Sequence, residues 1–332
     1  MTNIKSPYPW FGGKRKVVDL VWSRFGHVKN YVEPFFGSGA MLLGRPQPFN
    51  GVETINDIDG FVSNFWRSIA LSPEETAAHA AWPVNENDLH ARHAWLVSQK
   101  DSLGPKLEGD PEYHDPKIAG WWVWGTCCWI GSGFCSGKGP WIVQDGELIN
   151  AQVGNNGQGI NRKLPHLGDN GRGINRQLPH LGNNGRDGHM EQVKLYFLDL
   201  CKRFEKTRVC CGDWSRVCGP SVTHKHGLTA VFLDPPYAAN RCTDIYREDS
   251  KSVAHDVREW AIENGSNPKM RIALCGYEGE HQMPDDWDCV AWNAGAGFGG
   301  QAKERTGNGK KERIWFSPHC IQQTEKLFEA AQ

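Results

Sequence analysis

Leu228-Thr229-Ala230-Val231-Phe232-Leu233-Asp234-Pro235-Pro236-Tyr237 is the stretch on which the fold turns. Its apolar run, residues 228–232, predicts a buried strand. Neither Pro235 nor Pro236 has an N–H to donate to a sheet ladder, so the strand must stop there. A carboxylate, two stiff carbonyl groups and an aromatic ring are left at its C-terminal edge. In open α/β sheets that edge is where ligands bind. The residue types suit an amino-bearing planar ring.

Working outward, composition bounds the possibilities. The chain has 332 residues, 39% of them hydrophobic, enough for one large domain or two ordinary ones. Lys+Arg 37 against Asp+Glu 38 leaves a net charge of −1, so an anionic partner must be met by local basic patches. Trp outnumbers Tyr, 15 to 7, which supplies core and some stacking surface. The first residues run straight into Pro7 and Trp10 without an apolar leader segment, and the most apolar stretch, residues 121–130, is too short to span a bilayer. With 11 Cys and no leader, a reduced cytoplasmic protein with free thiols is expected. Cys127-Cys128…Cys135 and Cys210-Cys211…Cys218 share a spacing, but no C-x-x-C pair supports zinc, so buried apolar Cys and no metal are expected.

Upstream, Trp10-Phe11-Gly12-Gly13-Lys14 makes a close-approach turn leading into a helical pattern at Val17, Val18, Leu20 and Val21. It lacks P-loop spacing, and taken alone it reads as a plain helix-capping turn before it reads as a functional one. Tyr31-Val32-Glu33-Pro34-Phe35-Phe36-Gly37-Ser38-Gly39 then reads as strand, glycine loop and helix start, the entry to a nucleotide-type pocket. Thr54-Ile55-Asn56-Asp57-Ile58-Asp59 follows about twenty residues on. An acid at the tip of a second strand suits a ribose diol; Asp57 is favoured over Asp59, and either can instead cap the helix bearing Phe61, Val62, Phe65, Trp66 and Ile69.

The middle of the chain is less regular. Ser72-Pro73-Glu74-Glu75 predicts a capped helix start, with helix to about Lys100, a loop over 101–116, and a buried Trp-rich helix over 118–130. A slightly basic Gly-rich loop with Lys138 follows. Residues 156–168 then recur fourteen positions later, with a third copy breaking off after Arg186. Each unit has too few apolar residues to build a core. Residues 154–189 carry five bases (Arg162, Lys163, Arg172, Arg176, Arg186) against Asp169 and Asp187, a local +3. Such chemistry reads base edges and phosphates; a surface insertion of low complexity is the competing reading.

Beyond the repeat, residues 191–204 predict a helix, and residues 208–214 a strand that ends in the acid Asp213 and the aromatic Trp214. Asp213 could accept from an exocyclic amine and Trp214 could stack, or the pair could be a cap and a core residue. Further strands are expected at 270–277, 287–292 and 313–316, with a helix at 253–262 and a basic Gly-rich loop at 295–311 containing Lys303.

Taken in order, Trp10-Phe11-Gly12-Gly13-Lys14, Glu33-Pro34-Phe35-Phe36-Gly37-Ser38-Gly39, Asp57 and Asp234-Pro235-Pro236-Tyr237 resemble the motifs of the Dam-type (D12 class) adenine-N6 DNA methyltransferases. Gly276-Tyr277-Glu278 and Glu312-Arg313-Ile314 are weaker matches to that family's late strands. The resemblance implies an α/β, Rossmann-like fold with a mostly parallel central sheet and an inserted target-recognition region. Residues 1–70 and 205–332 would form the domain that binds S-adenosylmethionine, and 71–204 the recognition region, with its repeat at about 154–189. It implies a prokaryotic or phage enzyme acting on a flipped-out adenine at a specific site in double-stranded DNA. Asp234, Pro235, Pro236 and Tyr237 would be catalytic. Trp10, Lys14, Glu33, Phe36, Gly37, Gly39, Asp57, Asp213 and Trp214 would hold the cofactor, and Lys138, Arg162, Arg172, Arg176 and Lys303 would contact DNA. Families acting on cytosine N4 or a glutamine amide usually carry Ser or Asn where this chain has Asp234, which favours adenine. RNA adenine, or a non-catalytic DNA-binding protein of the same fold, are the alternatives. The recognition sequence and any partner endonuclease are not legible.

Overall fold

The computed structural model describes residues 4–10, 13–129, 134–135, 141–144, 147–150, 189–237, 252–292 and 312–322, with backbone alone at 141–150 and at residue 189. Among them, seven strands form one sheet: β1 (Asn30–Glu33), β2 (Val52–Asp57), β5 (Thr207–Cys211), β6 (Thr229–Leu233), β7 (Met270–Tyr277), β8 (Asp288–Ala291) and β9 (Glu312–Phe316). The order is β5-β2-β1-β6-β7-β9-β8. All pairings are parallel except those of β9, which runs antiparallel to both β7 and β8. This is a mostly parallel, Rossmann-like sheet, as the sequence predicts. A separate hairpin, β3 (Trp141–Gln144) and β4 (Glu147–Asn150), was not foreseen.

The central strand β6 is buried on both faces, which is why it reads as a continuous apolar run rather than an alternating one. In β6, Ala230 and Phe232 join one core cluster while Val231 and Leu233 join the other. The first cluster carries α1 (Val18–Phe25), α3 (Gly60–Leu71), α6 (Pro116–Cys128) and α7 (His189–Phe204); the second carries α8 (Val253–Gly265). Helix α3 is specified twice over. Asp59 caps it, accepting from Phe61 N at 2.8 Å, and Phe61, Val62, Phe65, Trp66 and Ile69 line its buried face. A cap contributes about 1 kcal/mol and each buried large apolar side chain about 1.5–3.

Three local expectations are corrected. Residues 101–109 are not loop but the end of α5 (Glu86–Gly109), whose buried Leu89, Leu96 and Leu103 recur every seventh position. Pro105 is tolerated because it is exposed, leaving the carbonyl that lost its helical partner open to water. Ser72 precedes α4 (Pro73–Ala80) but makes no capping bond; its hydroxyl lies 2.8 Å from His114 Nε2. The helix expected from Lys14 begins as a 3₁₀ turn, Arg15–Val17, before α1.

The described parts of 71–204 share the sheet's core. Trp66 stacks on Phe204 of α7 at 4.7 Å and 10°, and Arg203 of α7 binds buried Glu53 of β2 at 2.6 Å. Arg45 reaches the other Glu53 oxygen at 2.9 Å.

Candidate active site

Strand order reverses between β1 and β6, so the loops leaving their C-terminal ends diverge and open a crevice. One loop carries residues 34–39, the other Asp234-Pro235-Pro236-Tyr237.

The first loop needs its glycines. Gly37 has φ +49° and Gly39 φ +70°. A Cβ on Gly37 would lie 2.4 Å from Trp10 Nε1, and one on Gly39 2.6 Å from the Phe36 ring. The loop is then pinned by hydrogen bonds, all but one of them neutral. Tyr8 Oη donates to Gly37 O at 2.7 Å, and Trp66 Nε1 donates to Tyr8 Oη at 3.1 Å and to Gly37 O at 3.3 Å. Gly37 N donates to Asp57 Oδ2 at 2.9 Å. Asn56 Nδ2 bridges Pro34 O at 3.1 Å and Gly212 O at 2.9 Å, tying the loop after β1 to the one after β5. Tyr8, Asn56 and Trp66 escaped the sequence reading of the site, since nothing local marks a Tyr, Asn or Trp as a loop clamp.

Asp57 and Asp59 divide the two roles left open. Asp59 is the helix cap, whereas Asp57 stands at the end of β2 and accepts from the N–H groups of Gly37 and Asp59, the latter at 2.9 Å. Asp213 does cap a 3₁₀ turn, accepting from Ser215 N at 2.9 Å, yet it remains exposed. Trp214 is partly buried and lies near-parallel to Phe35, with ring centres 6.3 Å apart at 27°.

The second loop is held by charge. Lys14 Nζ pairs with Asp234 Oδ1 at 2.9 Å, with Lys14 buried and Asp234 partly open. The same ammonium lies 5.2 Å from the Tyr237 ring centre and 5.7 Å from that of Trp292. Tyr237 is turned inward rather than left exposed at the sheet edge: it is 8% exposed, with Tyr277 edge-on at 4.6 Å. Its hydroxyl lies 2.8 Å from Glu312 Oε2 and 3.2 Å from Asp234 Oδ1. Burial pushes the Glu312 carboxyl up, with Lys14 opposing the shift.

Some expected site residues lie elsewhere. Glu33, expected with the cofactor set, is sealed at 2% exposure and accepts from Tyr31 Oη at 2.7 Å. Burial holds its carboxyl well above the usual range. Phe36 packs edge-on to Trp66 and Phe204 and supports the loop from beneath. Lys14, expected at the cofactor's methionine end, pairs with Asp234 of the loop after β6. Lys138, Arg162, Arg172, Arg176 and Lys303 fall outside the described residues. Among the described residues no cluster of three His, Cys, Asp or Glu could hold a metal, and no helix is long and apolar enough to cross a membrane.

Residues 10–93 match the model of the D12 class N6 adenine-specific DNA methyltransferase family. No curated protein matches the chain. The match covers Trp10, Lys14, the loop after β1 and Asp57; Asp234-Pro235-Pro236-Tyr237 lies beyond it. The chain thus carries a domain of an enzyme that methylates adenine N6 in DNA using S-adenosylmethionine. The residues around the switch point fit that cofactor's chemistry in two respects: Asp57 is suited to a ribose diol, and aromatic Phe35 and Trp214 are suited to a purine.

Proposed function

We propose that this adenine-N6 DNA methyltransferase acts on an adenine flipped out of double-stranded DNA at a specific sequence, with Asp234 and the Pro235 carbonyl accepting the two amino hydrogens. The juxtaposition of Asp234 with the glycine loop at the sheet's switch point carries this reading. In this reading Trp10 and the loop around Gly37 and Gly39 hold the cofactor's amino-acid end, Asp57 its ribose, and Asp213 and Trp214 its adenine. S-adenosylmethionine supplies the electrophilic methyl group.

Adenine N6 is a poor nucleophile because its lone pair is delocalised into the ring. Two acceptors at the amino hydrogens favour a pyramidal nitrogen and stabilise the positive charge that grows during in-line attack. Flipping costs a few kcal/mol. Residues 71–204 divide from the rest by function rather than by core: their helices buttress the sheet, and the basic stretch with Lys138, Arg162, Arg172 and Arg176, together with Lys303, meets the DNA. The family resemblance supports a prokaryotic or phage setting.

The decisive assay is transfer of labelled methyl groups to unmethylated genomic DNA, followed by digestion to nucleosides. N6-methyladenine in DNA is the expected product. N4-methylcytosine, or labelling of RNA alone, would overturn the assignment. Asp234→Ala should abolish transfer while calorimetry still detects S-adenosylmethionine binding; retained transfer would sink the proposed role of Asp234.

A further inference from the structure

We infer that Glu312 is a positioning residue for methyl transfer: it takes the Tyr237 hydroxyl hydrogen and so keeps Asp234 available to the substrate amino group. This rests on the proposed role of Asp234 and adds a residue outside the matched region. A tyrosine hydroxyl has one hydrogen, and here it faces two carboxylates, Glu312 at 2.8 Å and Asp234 at 3.2 Å. The shorter contact wins. Asp234 Oδ1 is already paired with Lys14 at 2.9 Å, while Oδ2 has no partner among the described residues. Each further donor directed at this carboxylate would weaken it as an acceptor for the adenine amino group.

Topology explains how Glu312 reaches this place. A parallel strand would deliver its last residue to the C-terminal rim of the sheet. Because β9 runs antiparallel to β7, it delivers its first residue instead, and Glu312 pairs across the ladder with Tyr277, the last residue of β7. Glu312 is 5% exposed, so water does not substitute for its carboxylate. Without it, the Tyr237 hydroxyl has Asp234 as its remaining described acceptor.

The test is a double-mutant cycle on the full chain, read by labelled-methyl transfer to unmethylated genomic DNA, with S-adenosylmethionine affinity by calorimetry and folding by thermal melting. Glu312→Ala should lower kcat about ten-fold or more, the scale of one hydrogen bond to a charged group, with cofactor affinity unchanged. Glu312→Gln keeps an oxygen acceptor and should retain most of the activity. Adding Tyr237→Phe to Glu312→Ala removes the competing hydroxyl and should restore much of the lost kcat. A double variant no better than Glu312→Ala, or Glu312→Gln as impaired as Glu312→Ala, would overturn the inference. If Asp234→Ala retains transfer, the premise fails instead, and the two failures are distinguishable.

Discussion

The two loops that face each other across the switch point are held by different forces. The loop after β1 is clamped mainly through its backbone, by Tyr8, Trp66, Asn56 and one carboxylate, Asp57. The loop after β6 is held through side chains that carry charge: Lys14 on Asp234, and Glu312 on Tyr237. Neutral bonds to backbone preorganise a surface and are insensitive to salt and pH. Charged bonds to a carboxylate set how strongly it accepts. The first loop is built to be rigid, the second to be tuned.

The largest effect expected is on the tuned loop. Asp234→Asn, which preserves shape but not charge, should cost about 10²–10³-fold in kcat, the scale of losing one preorganised electrostatic contact. Because it removes the charge opposite buried Lys14, it should also lower the melting temperature; an unchanged melting temperature would mean that this pair does not hold the loop. On the rigid loop the order reverses. Gly37→Ala must hold φ +49° and push against Trp10, so a loss of roughly 1–3 kcal/mol in urea unfolding is expected, together with weaker cofactor binding. Wild-type stability would break the contrast. Tyr8→Phe is smaller, about 1 kcal/mol, because Trp66 Nε1 still reaches Gly37 O at 3.3 Å; the loss should be the same at low and high salt. The smallest and most diagnostic effect is a slope. Glu33 holds its proton in the folded protein where the unfolded chain has lost it. Its contribution is therefore present below the unfolded value of 4.5 and is lost as pH rises through the raised folded value. Relative to Glu33→Gln, the wild type should lose stability as pH rises above about 4.5, and parallel curves would contradict the burial argument.

Much of this was legible in the chain itself. Residues 270–277 predict β7 to the residue, because a strand buried on both faces writes a largely apolar run, here Ile272 to Cys275. The glycine loop and the two prolines were legible for a related reason: φ constraints are properties of single residues. Residues 101–109 were misread because Gly104 and Pro105 are local breakers, while the seventh-position leucines that hold α5 matter only once a partner surface exists. Asn56 and Tyr8 gave no signal, since each acts on backbone carbonyls distant in sequence, Gly212 O and Gly37 O.

The sequence by itself determined where strands end, which acid stands at each end, and that Asp234 meets prolines it cannot hydrogen-bond through. Those are short-range consequences of period, steric restriction and missing donors. The tertiary structure alone decided which charges meet there. Lys14 and Glu312 lie 220 residues before and 78 residues after Asp234. Only the packed fold, with the N-terminal turn against the loop after β6 and β9 reversed in direction, brings Lys14 within 3 Å of Asp234 and Glu312 within 3 Å of Tyr237.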